Sequence, residues 1–381
     1  MKITVIGPAY PLRGGIAHHV YCLKDELTRR GHTVQVISFR KLYPNIFFPG
    51  KTELDTSAST LDAGAERVLN PLNPITWASA FKRVKRFGPD WVIFQWWQPF
   101  FGPMVGTLLR LFRRKGLKSI VECHNVFPHE GTPFDRFLIK FALRGAEAFI
   151  THSSKEKTDL LSLVPGKRIR VGALPTPGQF SGGNNHVRDG RTILFFGKVR
   201  KYKGLEVLLA AMPKVLSQVE CRLLIVGEFY DSIDKYRDRI NKLGLEESIH
   251  IDDRYVPNEE VVSVFDRADV LVLPYLSATQ SAVANIALAN ALPIIAARTG
   301  GLSEIVIENV NGLLFPAGDS DALANRIIFY FNNKLGPAFS QKMISTFRSV
   351  DGVSKIIEDL IHGESNSVSI WEKAGVRGLR V

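Results

Sequence analysis

The chain has 381 residues, of which 45% are hydrophobic and 23% are charged, a composition typical of a folded soluble protein. The length exceeds what one ordinary hydrophobic core contains, so we expect two domains. The formal net charge of +12 is compatible with nucleic acid, anionic lipid or small anions as partners, and composition does not choose among them.

The cysteines and the N-terminus indicate a cytoplasmic protein. Cys22, Cys123 and Cys221 are far apart and form no CxxC pair, which favours neither a zinc site nor a disulfide framework. The first apolar run, Ile3–Ile6, begins directly after Lys2 and is too short for a signal peptide. No run of about 18 apolar residues predicts a transmembrane helix.

Short runs rich in Val, Ile and Phe recur along the chain and predict parallel strands that are buried on both faces. In the first half they are Ile3–Ile6, Val34–Ser38, Trp91–Gln95, Ser119–Cys123 and Ala148–Thr151. In the second half they are Thr192–Phe196, Arg222–Val226, Ile249–Ile251, Val270–Leu273 and Pro293–Ala296. Helical patterns lie between the runs, as in the stripe of Ile16, Val20, Leu23 and Leu27, which Gly31 ends. This alternation predicts an α/β fold with two Rossmann-like domains.

Residues 172–191 separate the two series of strands. The stretch is rich in Gly, Pro, Ser and Asn and has no periodic apolar pattern, so we interpret it as a linker. We therefore divide the chain into an N-terminal domain, 1–178, and a C-terminal domain, 188–348. A helix over 349–363 is expected to pack back toward the N-terminal domain, and the tail 364–381 has no interpretable pattern. Two such domains would face each other across a cleft at the carboxyl ends of their strands, where ligands bind.

Two loops at strand ends of the first half carry candidate ligand-binding residues. Gly14 and Gly15 let the backbone approach a ligand at a helix N-terminus, although their spacing is not that of the dinucleotide fingerprint and a tight βα turn explains them equally well. His124 and Asn125 follow the strand Ser119–Cys123, and His124 is equally consistent with a structural and a catalytic role. The nearby His129 and Glu130 do not establish a metal site.

A run of positive charge opens the second half. Its residues are Lys198, Arg200, Lys201 and Lys203, which follow Gly197 at the end of the strand Thr192–Phe196. A diphosphate requires converging positive charges, and the compact ammonium group of lysine supplies them. The position at a strand end favours phosphate binding over a solvated basic loop.

Two further strand ends of the second half carry small and hydroxyl-bearing residues. The first has Thr279, Gln280 and Ser281 before a predicted helix, whose free N–H groups and dipole favour a phosphate, and an ordinary N-cap is compatible with that role. The second has Gly300, Gly301 and Glu304, whose carboxylate can accept hydrogen bonds from sugar or ribose hydroxyls.

In order and spacing, these pieces resemble the glycosyltransferases of family 4, which have the GT-B fold, from Met1 to about Gly363. The matching pieces are Gly14-Gly15, His124-Asn125, Gly197-Lys198, Lys203-Gly204, Asp269–Pro274, Gly300-Gly301 with Glu304, and Asn311–Leu314. The resemblance implies a retaining, metal-independent sugar transfer without a cofactor. The donor would be a GDP- or UDP-linked sugar, and the acceptor a glycan or lipid-linked molecule in surface polysaccharide or glycolipid synthesis.

The same resemblance implies roles for individual residues. Lys198 and Lys203 match the basic pair of the family and would neutralise the leaving diphosphate, and His124 matches its active-site histidine near the donor sugar. The residues assigned to donor binding are Gly14, Gly15, Asn125, Gly197, Arg200, Thr279, Gln280, Ser281 and Glu304. The N-terminal domain would lie on the acceptor side, and the C-terminal domain would bind the nucleotide sugar.

One part of the family pattern is missing. The family carries two glutamates separated by seven residues, and alignment on Pro293 places Ala278 and Ile286 at their positions. A subset of the family carries Thr-Gln-Ser in this loop, as here, so we interpret the segment as a variant donor loop. A catalytically impaired sugar- or nucleotide-binding protein on this fold, a nucleotide-sugar epimerase and a phosphorylase are the alternatives.

Asp319 and Asp321 spell the Asp-x-Asp metal motif of a different glycosyltransferase fold, but their position before Ala322-Leu323-Ala324 predicts a helix cap, so we expect no metal ligands. The aromatic run Phe94–Phe101 predicts either a sugar or lipid acceptor site or core packing.

Three basic, apolar stretches lie in the first half, at Phe81–Arg86, Leu108–Lys115 and Phe134–Arg144. They predict either contact with anionic lipid or helices packed on the sheet with a cationic outer face. We expect a cytoplasmic protein that associates peripherally with the inner face of the membrane. No nucleic-acid-binding motif accompanies the charge, so nucleic acid is not expected as a partner.

Overall fold

The computed structural model describes residues 1–43, 52–128, 132–172, 174, 178–182, 188–346 and 353–363. They belong to two compact units. The first comprises Met1–Thr56, Thr60–Pro177 and the segment from Val350 onward, and the second comprises Ser57–Ser59 and Gly178–Ser349. Much of the predicted linker 172–191, together with His129, Glu130 and the tail 364–381, lies outside the described residues.

The first unit contains one parallel sheet. Its strands in the described chain are β1 (Lys2–Ile6), β2 (Thr33–Phe39), β3 (Glu66–Leu69), β4 (Trp91–Trp96), β5 (Lys118–Cys123), β6 (Ala148–Thr151) and β7 (Arg168–Val171). Their spatial order is β3-β2-β1-β4-β5-β6-β7, and neighbouring strands pair in parallel. The order reverses at β1, so the loops after β1 and β4 lie at the switch point where ligands of such sheets bind.

Helices connect these strands: α1 (Gly15–Arg29), α2 (Pro74–Phe87), α3 (Gly102–Arg114), α4 (Pro133–Leu143) and α5 (Ser154–Leu163). The predicted stripe of α1 is confirmed, because Val20, Leu23 and Leu27 are buried and Gly31 follows the helix with φ +86°. The basic stretches on α2 and α3 turn their apolar residues inward, with Val84, Leu108, Leu109 and Phe112 buried, and expose their cations except the half-buried Arg110, as the second alternative predicted. The aromatic run Phe94–Phe101, which begins in β4, contributes to the core, since Trp96, Trp97 and Phe101 are buried.

The second unit has its own parallel sheet. Its described strands are β8 (Thr192–Phe196), β9 (Arg222–Val226), β10 (Ile249–Asp252), β11 (Val270–Leu273), β12 (Ile294–Ala297) and β13 (Gly312–Phe315), in the order β10-β9-β8-β11-β12-β13. The helices are α6 (Leu205–Leu216), α7 (Asp234–Leu243), α8 (Asn258–Asp266), α9 (Ala282–Ala289), α10 (Leu302–Ile305), α11 (Ser320–Asn332) and α12 (Leu335–Thr346). Asp319 caps α11, because its Oδ1 accepts a hydrogen bond from the Ala322 amide at 2.9 Å.

The last described helix, α13 (Val353–His362), packs in the first unit. Ile357 and Leu360 are buried in a cluster that includes Ile3 of β1. Glu358 on the same helix contacts Arg30 and His32, each at 2.9 Å. Within the described chain, no helix combines the length and the apolar character needed to cross a membrane.

Candidate functional site

Lys203 is a buried cation beyond the carboxyl end of β8. Its residue surface is 7% exposed, and its Nζ lies 5.3 Å from the centre of the Tyr275 ring. Burial lowers the pKa of Lys203, and Arg200 adds to that shift while Tyr202 partly opposes it. In the part of the chain that the structure describes, no carboxylate pairs with this ammonium. A buried, unpaired charge is costly in free energy, so its position favours an anionic ligand.

Gly197 brings Lys203 and the start of α9 together. Its φ is +98°, and a Cβ at this residue would lie 3.1 Å from Lys203 Nζ and 3.4 Å from Val283 Cγ2. A side chain here would therefore be strained and would also crowd the ammonium. The end of β8, Lys203 and the first turn of α9 thus meet at one place, where the helix dipole adds to the positive charge.

Two further cations of the predicted run lie near a different ring. Lys198 Nζ lies 5.4 Å and Arg200 Cζ 5.9 Å from the centre of the Tyr230 ring. The backbone brings them there, since the Val199 N–H donates to the Glu228 carbonyl at 2.9 Å and the Val199 carbonyl accepts from the Tyr230 N–H at 3.0 Å. The structure thus separates the basic run into Lys203 at Tyr275 and the pair Lys198 and Arg200 at Tyr230.

The predicted loop at Thr279 packs against the glycine pair that follows β12. The Gly301 amide donates to the Thr279 carbonyl at 3.2 Å, and a Cβ at Gly300 would lie 1.6 Å from the Ala278 carbonyl oxygen. Gly301 likewise leaves no room, since a Cβ there would lie 2.5 Å from Nε2 of Gln280. The two loops can approach this closely only because both residues are glycine.

Ser281 and Glu304 sit at the first turns of the two helices beside these loops. Ser281 is the N-cap of α9, because its Oγ accepts from the Ala284 amide at 3.2 Å, and it is buried. Glu304 is half-buried in the short helix α10. The two positions where the family carries glutamates hold Ala278, buried in the loop, and Ile286, half-buried on α9.

In the first unit, Gly14 precedes helix α1, which contributes His19 to a buried cluster of polar side chains. Gly14 is the N-cap of α1 with φ +123°, and Gly15 is the exposed first residue of the helix. One turn later, His19 is buried, and its Nε2 lies 2.8 Å from Oε1 of Glu122 on β5. Nε2 of His152, just after β6, lies 3.3 Å from the same oxygen.

His124 belongs to this cluster through Gln95. The register of β4 and β5 places Gln95 directly beside Glu122, and Gln95 Nε2 donates to Glu122 Oε2 at 2.9 Å. His124 Nε2 lies 2.6 Å from Gln95 Oε1. The ring of His124 also stacks on His152 at 5.2 Å and meets the edge of His19 at 4.9 Å between centroids. Asn125, the next residue, is half-buried.

Burial and the neighbouring charges shift the pKa values of the residues in this cluster. Burial alone would raise the pKa of the Glu122 carboxyl, but the imidazoles of His19 and His152 outweigh burial and hold that pKa well below its usual range. Burial opposes protonation of His152, yet Glu122 and Glu156 raise its pKa. Burial, reinforced by His19 and His152, lowers the pKa of His124 well below its usual value, so this ring is neutral near pH 7.

One ligand atom from each of His19, Glu122 and His124 lies within 4.8 Å of the others, a spacing that a metal ion could also bridge. Nε2 of His124 and Oε2 of Glu122 are instead joined through Gln95, so we describe the cluster as a hydrogen-bonded network. Sequence inspection missed Gln95, Glu122, His19 and His152. The available signal was a polar residue with apolar neighbours on both sides in each of two buried strands, Gln95 in β4 and Glu122 in β5.

A cavity of about 770 Å³ lies elsewhere in the second unit. Its lining includes Arg191 and Asp269, which precede β8 and β11, together with Arg188, Tyr330 and Ser340. It therefore opens near the amino ends of these strands, away from the loops described above, and none of the predicted site residues lines it.

Comparison with known proteins assigns both halves of the chain. A model described as Glycosyltransferase Family 4 matches residues 13–172, and one described as Glycosyl transferases group 1 matches residues 190–333. An uncharacterised glycosyltransferase from Methanocaldococcus jannaschii is 24% identical over 351 residues, 85% of this chain and 87% of that protein. A D-inositol 3-phosphate glycosyltransferase of Corynebacterium efficiens is 32% identical over 186 residues, only 45% of this chain and 43% of that protein.

Solved structures share the fold across almost the whole chain. The sucrose-phosphate synthase of Thermosynechococcus elongatus superimposes with a TM-score of 0.73 at 17% identity, covering 95% of this chain and 99% of that one. HepE of Anabaena, solved in complex with UDP-glucose, gives a TM-score of 0.69 at 17% identity, covering 95% and 100%. The predicted α/β fold of the GT-B type, with two Rossmann-like units, is therefore confirmed.

Proposed function

Since the chain is a glycosyltransferase of group 1, with the family 4 domain in its N-terminal half, we propose that it transfers a hexosyl group from a nucleotide sugar to a glycan or lipid-linked acceptor. The transfer proceeds with retention of configuration, and it requires no metal ion or cofactor. The product belongs to a surface polysaccharide or a glycolipid. UDP is the first nucleotide to test and GDP the second, because HepE, which shares the fold, was solved in complex with UDP and with UDP-glucose.

The buried ammonium of Lys203 carries this proposal. As the bond between the anomeric carbon and the phosphate oxygen breaks, negative charge develops on the departing diphosphate. Lys203 and the N-terminus of α9 are already positioned to neutralise that charge, and because the site is buried their electrostatic interactions are strong. Lys198 and Arg200, at Tyr230, supply a second group of cations for the donor.

These protein cations make a metal ion unnecessary for stabilising the leaving group. Asp319, the first residue of the Asp-x-Asp sequence, is engaged as the cap of α11. Because Ala278 and Ile286 replace the family glutamates, other groups must form the hydrogen bonds to the hydroxyls of the donor. We assign them to Thr279 and Gln280, on the loop before α9, and to Glu304, on the short helix α10 that follows the glycine pair packed against that loop.

Thermal-shift and release assays test the proposal on the full chain. UDP or GDP should raise the unfolding temperature more than ADP or TDP, because a ligand that binds only the folded state stabilises it. The effect should be lost in Lys203→Met and kept in Lys201→Met, which removes an exposed neighbouring cation. With acceptor extract, the matching nucleotide sugar should release its nucleoside diphosphate equally well with and without EDTA.

The outcomes separate the alternatives. Nucleotide binding without release or transfer would identify a catalytically impaired binding protein. Absence of binding by all four nucleoside diphosphates would overturn the donor assignment. The comparisons name glycosyltransferases and support neither an epimerase nor a phosphorylase.

We extend the proposal to peripheral association of this cytoplasmic enzyme with an anionic membrane, through α4. Phe134 is 63% and Phe137 is 65% exposed, and their rings stack with centroids 6.0 Å apart. The exposed cations of the same segment are Arg136, Lys140 and Arg144. Exposed aromatic rings beside cations fit the interfacial region of an anionic bilayer.

Sedimentation with vesicles tests this surface. At low salt the chain should bind vesicles that contain anionic lipid and should not bind neutral ones. The double variant Phe134→Ser with Phe137→Ser should lose most of the binding, whereas Phe329→Ser, which removes an exposed ring from α11 in the second unit, should keep it. Wild-type protein that stays in the supernatant with anionic vesicles would refute the association.

A further inference from the structure

We infer that Glu122 and Gln95 are positioning residues that hold His124 in one tautomer, with the proton on Nε2 and the lone pair of Nδ1 offered to a hydroxyl-bearing ligand. The inference deepens the proposed function, because the ligand it implies is the hexosyl group of the donor. It concerns side chains of the first unit alone, and it does not depend on the identity of the nucleotide.

The charge on Glu122 is the first step. This carboxylate is fully buried on β5, and Oε1 is contacted by His19 from α1 and by His152 from the end of β6. The contacts on Oε1 leave Oε2 to Gln95. A buried carboxylate accepts hydrogen bonds and donates none, so the group that meets Oε2 must be a donor.

The orientation of Gln95 is the second step. The two ends of its amide are not interchangeable here, because the carbonyl oxygen would be repelled by Glu122 whereas the NH₂ group donates to it at 2.9 Å. Oε1 is therefore directed away from Glu122 and lies 2.6 Å from His124 Nε2. The strand register makes this arrangement rigid, because Gln95 and Glu122 are direct neighbours on β4 and β5.

The tautomer of His124 is the third step. A carbonyl oxygen at 2.6 Å requires Nε2 to carry the proton, and a neutral ring then leaves Nδ1 as an acceptor. Among the groups that the structure describes, none is hydrogen-bonded to Nδ1. The titratable groups that act on the ring are His19 on α1, Glu122 on β5 and His152 after β6. The histidines disfavour a second proton on His124.

A sugar hydroxyl fits this arrangement. It can donate its hydrogen to Nδ1, and a fixed tautomer presents that acceptor in one direction without reorganisation during the reaction. With the opposite tautomer, Nδ1 would donate, Nε2 would face the Gln95 carbonyl without a proton, and both contacts would be lost. Through Gln95, the charge of Glu122 thus determines which nitrogen of His124 donates a hydrogen bond and which one accepts.

Long-range ¹H–¹⁵N NMR of histidine-labelled, EDTA-treated protein at pH 7.5 reads the tautomer directly and needs no substrate. Wild-type His124 should appear neutral with the proton on Nε2. Gln95→Met removes the acceptor, and Glu122→Gln removes the charge that orients the amide. Both variants should show the two neutral tautomers in exchange instead of a single Nε2-protonated form, and kcat/KM with the nucleotide sugar should fall on the order of 10- to 100-fold.

Glu156→Gln serves as the matched control, because it removes another buried carboxylate beside His152 without touching Gln95. It should leave the His124 signals in place. Glu122→Gln removes the anionic partner of His19 and His152. If that variant does not fold, Gln95→Met still tests the inference. A wild-type ring protonated on Nδ1, or a tautomer unchanged in Gln95→Met, would overturn the inference. Expected NMR signals in a chain that transfers no sugar would instead refute the proposed function alone.

Discussion

The ammonium nitrogen of Lys203 lies 5.3 Å from the centre of the Tyr275 ring and has no carboxylate partner within the described residues. The face of the ring compensates part of the cost of burying a cation, but less than an ion pair would. A structural role would be served as well by an apolar side chain of similar length. The unpaired charge is therefore explained by a ligand that brings negative charge to this position.

Lys203→Met should separate activity from stability. We expect kcat/KM to fall on the order of 100-fold or more, as when one pre-positioned electrostatic donor is removed from a transition state. The melting temperature should stay the same or rise, because the variant no longer buries an unpaired charge. Steady-state kinetics and calorimetry check the two parts. In Lys201→Met, at an exposed position, neither quantity should change much, and a large loss of stability in Lys203→Met would show that the ammonium is structural.

Gly204→Ala should disturb the loop that holds Lys203. Gly204 has φ +68°, and a Cβ would lie 1.9 Å from the Pro274 carbonyl oxygen, so the backbone would have to move. Gly244→Ala is the matched control, since Gly244 has φ +65° with no atom within 4 Å of the added Cβ. Urea unfolding should show a loss of roughly 1 kcal/mol for Gly244→Ala, from backbone strain alone. The loss in Gly204→Ala should be clearly larger and accompanied by weaker nucleotide binding. Equal losses would mean that the close approach at Pro274 relaxes freely.

The central strands could be predicted from the sequence because their burial is visible in composition. β8, β9 and β11 have the predicted bounds, and each is a run of mostly apolar residues covered on both faces. β3, β7 and β13 were not predicted, and all three lie at sheet edges. β3 and β7 are partly exposed and begin with Glu66 and Arg168, so their apolar runs are short, and β13 begins with Gly312 and offers only three apolar residues.

The candidate site could be predicted only where chemistry is local in sequence. Lys203 follows a strand end within a few residues, so charge and position together identify it. The partners of His124 come from β4, β5, α1 and the end of β6, and they meet only because the sheet places β4 beside β5 and because His19 on α1 reaches Glu122. A single Gln inside an apolar strand gives no indication of which residue it faces. The order of the strands in the folded sheet, and not a local sequence pattern, brings Glu122, Gln95 and His124 together.

Asp319→Ala should affect stability and leave catalysis unchanged. Its Oδ1 caps α11, and loss of such a cap costs about 1 kcal/mol. Asp321→Ala removes the other aspartate, which forms an exposed contact with Lys214, and should cost much less. Transfer rates of both variants should equal that of wild type, with or without EDTA. A selective loss of activity in Asp319→Ala that added metal restores would identify a metal ligand instead.

Glu156→Gln should stabilise the protein at alkaline pH. Burial raises the pKa of Glu156 from 4.5 to about 7 in the folded state, against the pull of His152. Below the unfolded pKa both states hold the proton. Between that value and about 7, only the unfolded chain loses it, so the stability that the protonated group contributes is lost as pH rises through the folded pKa. Glutamine mimics the protonated form at every pH. Relative to wild type, Glu156→Gln should therefore gain roughly 2 to 3 kcal/mol in unfolding free energy between pH 5 and pH 8.5.

Denaturant unfolding at these two pH values measures the gain. Glu147→Gln, at an exposed carboxylate that contacts Arg168, is the control and should show nearly the same difference from wild type at both pH values. The opposite trend, with Glu156→Gln losing stability as pH rises, would mean that the folded protein holds Glu156 as a carboxylate partner of His152. In that case the buried cluster would contain two anions, and His152 rather than Glu122 would be the centre of its charge balance.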